Sequence, residues 1–398
     1  MPNRLAIPPR SAKYRALRLM AAAERLLRRT HAPAPGQLHR LRNFLFLQAE
    51  TPLGTALHAM PLFTALRQAM PDAHITVAAG PTAASVLRYN PFLSRCLPLP
   101  NPETNFFAAL HAVRRALRSM PPGPVCIATT TGNQQPRLAL LALLAGRATR
   151  VGYSLALPLL HSALDFRAER PQIENNLDIL RALGHAIPSS PASSEPRIFF
   201  SREETAAATR LLTVAEQVPA RLRLAVVTQC SPHQPKQWPV ERWHAALNAI
   251  ASATNALPIF FGTAAESAAI EALRTALQEP GISLAGKTES IPLLTAVLAQ
   301  CDGILTLDTG TLHVARAVGL PGVVLAPAWQ PPAEWLPLHD PRYRILIGAP
   351  IPMPAPSYRM EEISAQTVTE ATLALLTQSP AAAQHRQQRV QQSLRGSH

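Results

Sequence analysis

The sequence predicts an α/β protein of two doubly wound domains, and three observations carry that expectation. From Arg42 onward, short apolar runs alternate with helical patterns, the mark of a parallel sheet with crossover helices. A Pro- and Ser-rich stretch, 187–196, interrupts the alternation once in a chain of 398 residues, a length comfortable for two domains. The stretch ILTLDTGTLHVARAVGLPGVVL, 304–325, reads as strand, tight turn, helix and strand. Its polar cluster stands at the carboxyl end of the first strand, where open parallel sheets bind ligands.

Taken in order, the first half opens with an apolar strand over 43–48. A helix follows over 56–70, with Thr55 as its N-cap. A strand over 74–79 leads to a helix over 82–89, and a short strand over 95–99 to a helix over 105–120 behind Thr104. A strand over 125–129, a helix over 135–145, a strand over 150–153 and a helix over 173–183 complete this half, the last ending at Gly184. After the linker come a strand over 197–200 and a helix over 203–217. The alternation then resumes with strands over 224–228, 257–261, 282–285, 303–307 and 322–326, and helices over 240–253, 265–277, 291–299 and from 311. A final helix spans 364–375. This divides the chain into a basic N-terminal arm (1–39), a first domain (40–196), a second domain (197–378) and a flexible tail (379–398). Two such halves joined by one linker place a cleft between domains, a common seat for nucleotide-type ligands.

The composition supports real cores: 47% of residues are hydrophobic and the mean hydropathy is +0.05. The 40 prolines read as short, stiff loops. The four cysteines, Cys96, Cys126, Cys230 and Cys301, are scattered without a C-x-x-C pair, so neither a zinc site nor a disulfide framework is indicated. Reduced thiols in the cytoplasm are the default. A net charge of +14 calls for an acidic partner or surface. The charge gathers in the first forty residues, where Arg4, Arg10, Lys13, Arg15, Arg18, Arg25, Arg28, Arg29 and Arg40 meet a single acid, Glu24. Tyr14, Leu17, Leu19, Met20, Leu26 and Leu27 supply an apolar edge, so the arm reads as a basic amphipathic helix for a membrane surface or anionic glycolipid. A solvated arm is the alternative. No continuous apolar core follows the early basic residues, as a secretory signal requires, and no segment is long and apolar enough to span a bilayer. Nucleic acid is not the expected partner, because the arm has little aromatic interleaving and no known nucleic-acid module appears.

Neither G-x-G-x-x-G nor a P-loop motif is present, and no metal-ligand spacing occurs. Three polar clusters follow strands instead. At Asp308-Thr309-Gly310, glycine lets backbone approach a ligand. The amides of the next helical turn, which carries His313, favour an anion. A phosphate or a sugar hydroxyl would suit this turn; a simple helix cap at Asp308 or Thr309 would explain it too. The second cluster, TQCSPHQPKQWP (228–239), offers Ser231 and Lys236 for a diphosphate, against the plainer reading of a solvated loop lysine. Trp238 reads as packing rather than stacking. The third, QAETPLGT (48–55), has a glycine turn at Gly54 and one carboxylate, Glu50.

Together, in this order, the clusters resemble glycosyltransferase family 9, the heptosyltransferases of lipopolysaccharide core assembly. The resemblance spans about residues 40–350. It is carried by LGTALHAMPLFTALRQAMPDAHITV, by Tyr89 to Phe92 and Arg150 to Tyr153, by KQWPVERW from Lys236, and most strongly by LAGKTESIPLLTAVLAQCDGILTLDTGTLHVARAVGLP. It implies a GT-B fold of two Rossmann-like domains facing a cleft, an N-terminal acceptor domain and a C-terminal nucleotide-sugar donor domain. It also implies metal-independent, inverting transfer from ADP-heptose, as co-substrate rather than cofactor, to an anionic lipid-linked core sugar. The setting would be lipopolysaccharide biosynthesis for the cell envelope, with a cytoplasmic protein held peripherally on the inner membrane by its basic arm. On this mapping Lys236 and Ser231 contact the diphosphate, Thr309 and Gly310 lie against the phosphates, Asp308 binds heptose hydroxyls and His313 stands beneath them. Lys287 and Thr288 line the adenine pocket. One departure matters: the family usually has Gly-Asp where this chain has Gly54-Thr55, and that Asp serves as general base. Inverting transfer needs a base in reach of the acceptor hydroxyl, and threonine cannot accept a proton at neutral pH. Glu50 in the same loop is the favoured replacement and His58, one turn later, the other candidate. A non-catalytic nucleotide-sugar or glycolipid-binding protein of the same fold is the alternative that Thr55 raises.

Overall fold

The computed structural model describes residues 15–16, 18–20, 22–23, 35–49, 51–132, 136–146, 148–153, 159–187, 189, 194–213, 222–230, 234, 236–328, 332–350, 355, 357–378, 383 and 387. Most of the basic arm and nearly all of the tail expected beyond 379 lie outside these residues. The chain divides into two compact units, residues 1–197 and 198–398.

The first unit holds a parallel sheet of six strands: β1 (Asn43–Gln48), β2 (His74–Ala79), β3 (Arg95–Pro98), β4 (Val125–Thr129), β5 (Thr149–Tyr153) and β6 (Ser162–Leu164). Their spatial order is β3-β2-β1-β4-β5-β6. Asn43 stands opposite both His74 and Val125, so β1 is central, and all six of its residues are buried. Burial on both sides explains its unbroken apolar run. Side chains alternate between the faces of the sheet. Leu45 and Leu47 join Val113 and Leu141 from the helices Phe106–Arg118 and Pro136–Ala145. Phe46, pointing the other way, meets Phe63 of the helix Met60–Ala69 edge to face, with ring centroids 5.1 Å apart.

The second unit repeats the plan with β7 (Arg223–Val227), β8 (Leu257–Phe260), β9 (Ile282–Ser283), β10 (Gly303–Leu307), β11 (Gly322–Ala326) and β12 (Tyr343–Ile347). The order is β12-β11-β10-β7-β8-β9, all parallel. Counted within each unit, both sheets run 3-2-1-4-5-6, the Rossmann order, in which the direction of winding reverses between the first and fourth strands. Those switch points are β1/β4 and β7/β10. Val226, Leu305 and Leu325 pack on Trp243 and Ile250 of the helix Val240–Thr254 and on Leu375 of the helix Ala365–Gln378.

Several local expectations change. The helix expected over 56–70 is two, Leu53–His58 and Met60–Ala69, divided at Ala59; Pro61 has no N–H to carry one ladder through. Thr55 therefore sits inside the first helix, with Pro52 at its N-cap. Asn105, not Thr104, caps the next long helix, its Oδ1 accepting from the Ala108 amide at 3.1 Å. Residues 197–200 form no strand; Ile198 owes its apolar character to burial alone. Strands β6 and β12 were not expected from the sequence.

Phe63 is fully buried against fully buried Phe46. Phe63→Ala is predicted to destabilise the first unit by about 3–5 kcal/mol through transfer and cavity terms. Urea unfolding followed by circular dichroism measures it.

Candidate functional site

At the second unit's switch point, Thr228 is buried just past β7, and Lys236 stands beside the end of β10. Two bonds pin the residues that follow Lys236. The Met360 amide donates to the Gln237 carbonyl at 2.9 Å, and Trp238 Nε1 donates to the Ile363 carbonyl at 2.8 Å. Trp238 also meets Trp243 edge to face at 5.0 Å, so it is a packing residue, as its sequence context predicts. Held this way, Lys236 is only 4% exposed. Its Nζ donates to Asp308 Oδ2 at 2.7 Å and to the Asp308 carbonyl at 3.4 Å. It is a buried ion pair rather than a solvated loop lysine.

Asp308 is itself fixed at the end of β10, its amide donating to the Leu325 carbonyl at 3.0 Å. The helix Gly310–Ala317 starts two residues later with extended Thr309 at its N-cap. Thr309 makes no side-chain cap bond, and its Oγ1 is buried without a hydrogen-bond partner. An unsatisfied buried hydroxyl at a helix N-terminus is an arrangement that a ligand oxygen completes. His313, one turn inside, is 4% exposed and faces the Trp335 ring at 6.2 Å. Burial, with the charges of Arg316 and Lys236 behind it, pushes the His313 pKa down to about 3. The ring is therefore neutral at neutral pH. The structure thus brings Lys236, Asp308, Thr309, Gly310 and His313 together. Lys287 and Thr288 lie on the turn after β9, exposed and half-buried respectively. Gly286, at φ +70°, lets that turn lie against Ala264, where a Cβ would come within 3.0 Å of backbone. Ser231 lies outside the described residues.

In the first unit, Gly54, Thr55 and His58 are all buried in the helix Leu53–His58. Thr55 faces the β1/β4 switch point: a Cβ on Gly132 would lie 2.2 Å from Thr55 Cγ2. Gly132 also has φ +75°, so two constraints require glycine there. Asn176, fully buried, ties this junction together. Its Nδ2 donates to the His58 carbonyl at 2.9 Å, and its Oδ1 accepts from the Thr131 amide at 2.9 Å. Sequence reasoning passed over Asn176; the available signal was a polar residue at a buried-face position of its helix. Glu50 lies outside the described residues.

Two Rossmann-ordered sheets, one with a cation, a carboxylate and a helix N-terminus at its switch point, define the class: an α/β protein of the GT-B kind. Solved structures share the fold. The glycosyl transferase family 9 protein from Veillonella parvula DSM 2008 is 19% identical, with a TM-score of 0.73 over 85% of this chain and 98% of that one. The E. coli ADP-heptose lps heptosyltransferase II is 22% identical, with a TM-score of 0.64 over 84% and 99%. E. coli heptosyltransferase WaaC with ADP is 16% identical, with a TM-score of 0.62 over 82% and 98%. No curated protein matches the sequence. The family model for glycosyltransferase family 9 (heptosyltransferase) matches residues 133–341, more than half of the chain. The chain belongs to that family.

The folded His313 pKa of about 3 lies below its ordinary value of 6.5. The neutral ring therefore contributes stability that is present above pH 6.5 and is lost as pH falls towards 3. Within that window this one group is predicted to give wild type a slope of up to about 1.4 kcal/mol per pH unit. His313→Gln removes the slope. Denaturant unfolding at a series of pH values checks it, and parallel curves for the two proteins would count against the assignment.

Proposed function

We propose that this family 9 glycosyltransferase transfers heptose, or a closely related sugar, from an ADP-sugar to a lipopolysaccharide core-type acceptor, with inversion and without a metal. The observation that carries the reading is the buried Lys236–Asp308 pair at the N-terminus of the helix Gly310–Ala317. An ammonium and a helix N-terminus suit the charge that grows on a departing diphosphate. The Asp308 carboxylate offers acceptors to sugar hydroxyls, and the unsatisfied Thr309 hydroxyl takes a phosphate oxygen. Lys287 and Thr288 are assigned to the adenine side and Ser231 to the diphosphate. The E. coli WaaC structure, a shared fold, holds ADP, which supports an ADP-sugar here. Glu50 is assigned as the general base that takes the acceptor hydroxyl proton. The acceptor's anionic groups and an anionic inner-membrane surface, met on the cytoplasmic side through the basic arm, match the net charge of +14. Among the described residues no helix is long and apolar enough to cross a membrane.

A second reading, binding of a nucleotide sugar without transfer, is favoured by one observation. Thr55 stands where the family usually has Asp, and it is buried against Gly132.

Incubating the protein with ADP-heptose and a heptose-deficient core glycolipid, followed by mass spectrometry of the acceptor, separates the two. The transferase reading expects one added heptose, and a loss of about 10²-fold or more in kcat for Glu50→Gln with donor binding retained. Donor binding with no transfer to any core acceptor would leave the binding-protein reading.

A further inference from the structure

The helices Phe106–Arg118 and Pro136–Ala145 cover one face of the first sheet, and their outer side is unusual in charge and polarity. Ala109, Leu110, Val113 and Ala116 of the first helix are buried. Opposite them, at helical spacing, stand Phe107, His111, Arg115 and Arg118, all exposed. Phe107 is 81% exposed, the most exposed of the large hydrophobic side chains described. The second helix, PRLALLALLA, has no polar residue after Arg137. Its Leu140 lies half-buried at helical spacing from Arg137, while Leu144 packs partly on the core beneath. The helices are tied at both ends. Arg114 Nη2 donates to the Leu144 carbonyl at 2.9 Å, and Arg137 pairs with Glu103 at 3.3 Å. That glutamate is the last acid for a long stretch: from 104 to 164 the sequence has no Asp or Glu and six arginines.

We infer that this two-helix face is a docking surface for an anionic lipid bilayer, distinct from the N-terminal arm. Charge complementarity selects the occupant. An arginine-rich surface with a single acid, Glu103 beside Arg137, attracts anionic headgroups, and exposed Phe107 supplies the apolar contact of an interfacial helix. A single-stranded nucleic acid would want aromatic platforms spaced along the basic stripe, whereas here Phe106 and Phe107 sit together at one end, ring centroids 6.1 Å apart. The placement also has a use. A crossover helix runs against its strands, so Phe107 lies at the carboxyl edge of the sheet, the edge that carries Gly54 and Thr55. A bilayer engaged there presents its headgroups to the acceptor rim. This use rests on the glycolipid-acceptor reading; the docking itself does not.

The test is co-sedimentation of the full-length protein with vesicles of phosphatidylcholine, with and without phosphatidylglycerol. Wild type is expected to bind only the anionic vesicles, and less at high salt. The double variant R115E/R118E is expected to lose about tenfold or more in partitioning, and F107S about tenfold from lost apolar contact. The double variant R210E/R344E makes the same charge change at exposed positions of the second unit and is expected to lose less than about twofold on the same reasoning. Equal loss in both double variants would reduce the effect to net charge and overturn the assignment. So would wild-type binding by R115E/R118E and F107S, or wild-type binding to neutral vesicles alone. Circular dichroism and an ADP titration accompany each variant. Failure of ADP binding in wild type would defeat the donor reading and leave the vesicle result standing.

Discussion

Lys236 and Asp308 are 72 residues apart in sequence and 2.7 Å apart in space, and the second unit is arranged so that they meet. Burying two charges costs several kcal/mol per ion before their attraction repays it, so such a pair is weak evidence for stability. Its value is positional. β7 and β10 must be neighbours to bring their following loops together, and the 3-2-1-4-5-6 order makes them so. Trp238 on Trp243, with the bonds to Met360 and Ile363, holds the lysine's segment from behind. The helix Gly310–Ala317 brings its N-terminus to the carboxylate side, where Thr309 leaves a hydroxyl unsatisfied. A cation, an anion and a helix dipole are thus fixed at one strand edge before a ligand arrives, the preorganisation that stabilises developing charge cheaply.

The first unit shows what the same scaffold does without that pair. Its switch point is filled by Thr55 against Gly132 and by Asn176 bridging His58 and Thr131. Asn176 bonds to backbone on both sides. Thr55 at 4% exposure and His58 at 1% are parts of the packing between β1 and its helices. An aspartate at position 55 would bring a charge into that packing. Among the described residues, an ion pair marks the switch point of the second unit, whereas Thr55, Asn176 and a glycine fill that of the first.

Much of this was legible in the sequence, for physical reasons that also mark where reading stopped. β1 and β10 announce themselves because burial on both faces demands unbroken apolar runs, and Asp308-Thr309-Gly310 stands out as the abrupt end of one. The carboxyl-edge position of Lys236 followed from strand–loop–helix order. Its burial did not, because Met360 and Ile363, which seat the lysine's segment, come from more than a hundred residues away. β6 has only Ser162–Leu164 and exists by pairing with β5; no local pattern marks three residues of that kind. The helix division at Ala59 has its sequence signal in Pro61, whose missing amide breaks the ladder beneath a continuous apolar period. Residues 197–200 failed in the opposite sense: Ile198 is buried by packing and not by a ladder, and its two phenylalanine neighbours are only half-buried.

The central claim, that the Lys236–Asp308 pair at the head of the helix Gly310–Ala317 holds the donor's diphosphate, is tested most directly by calorimetric titration with ADP. Wild type, Lys236→Met and Asp308→Asn are compared, each first checked for folding. ADP should bind wild type, and its affinity should fall by about tenfold or more in Lys236→Met, the loss of a charge-assisted bond. Asp308→Asn should weaken ADP-heptose more than ADP, since its carboxylate is assigned to the sugar. Equal ADP affinity in wild type and Lys236→Met, or no binding by folded wild type, would contradict the account.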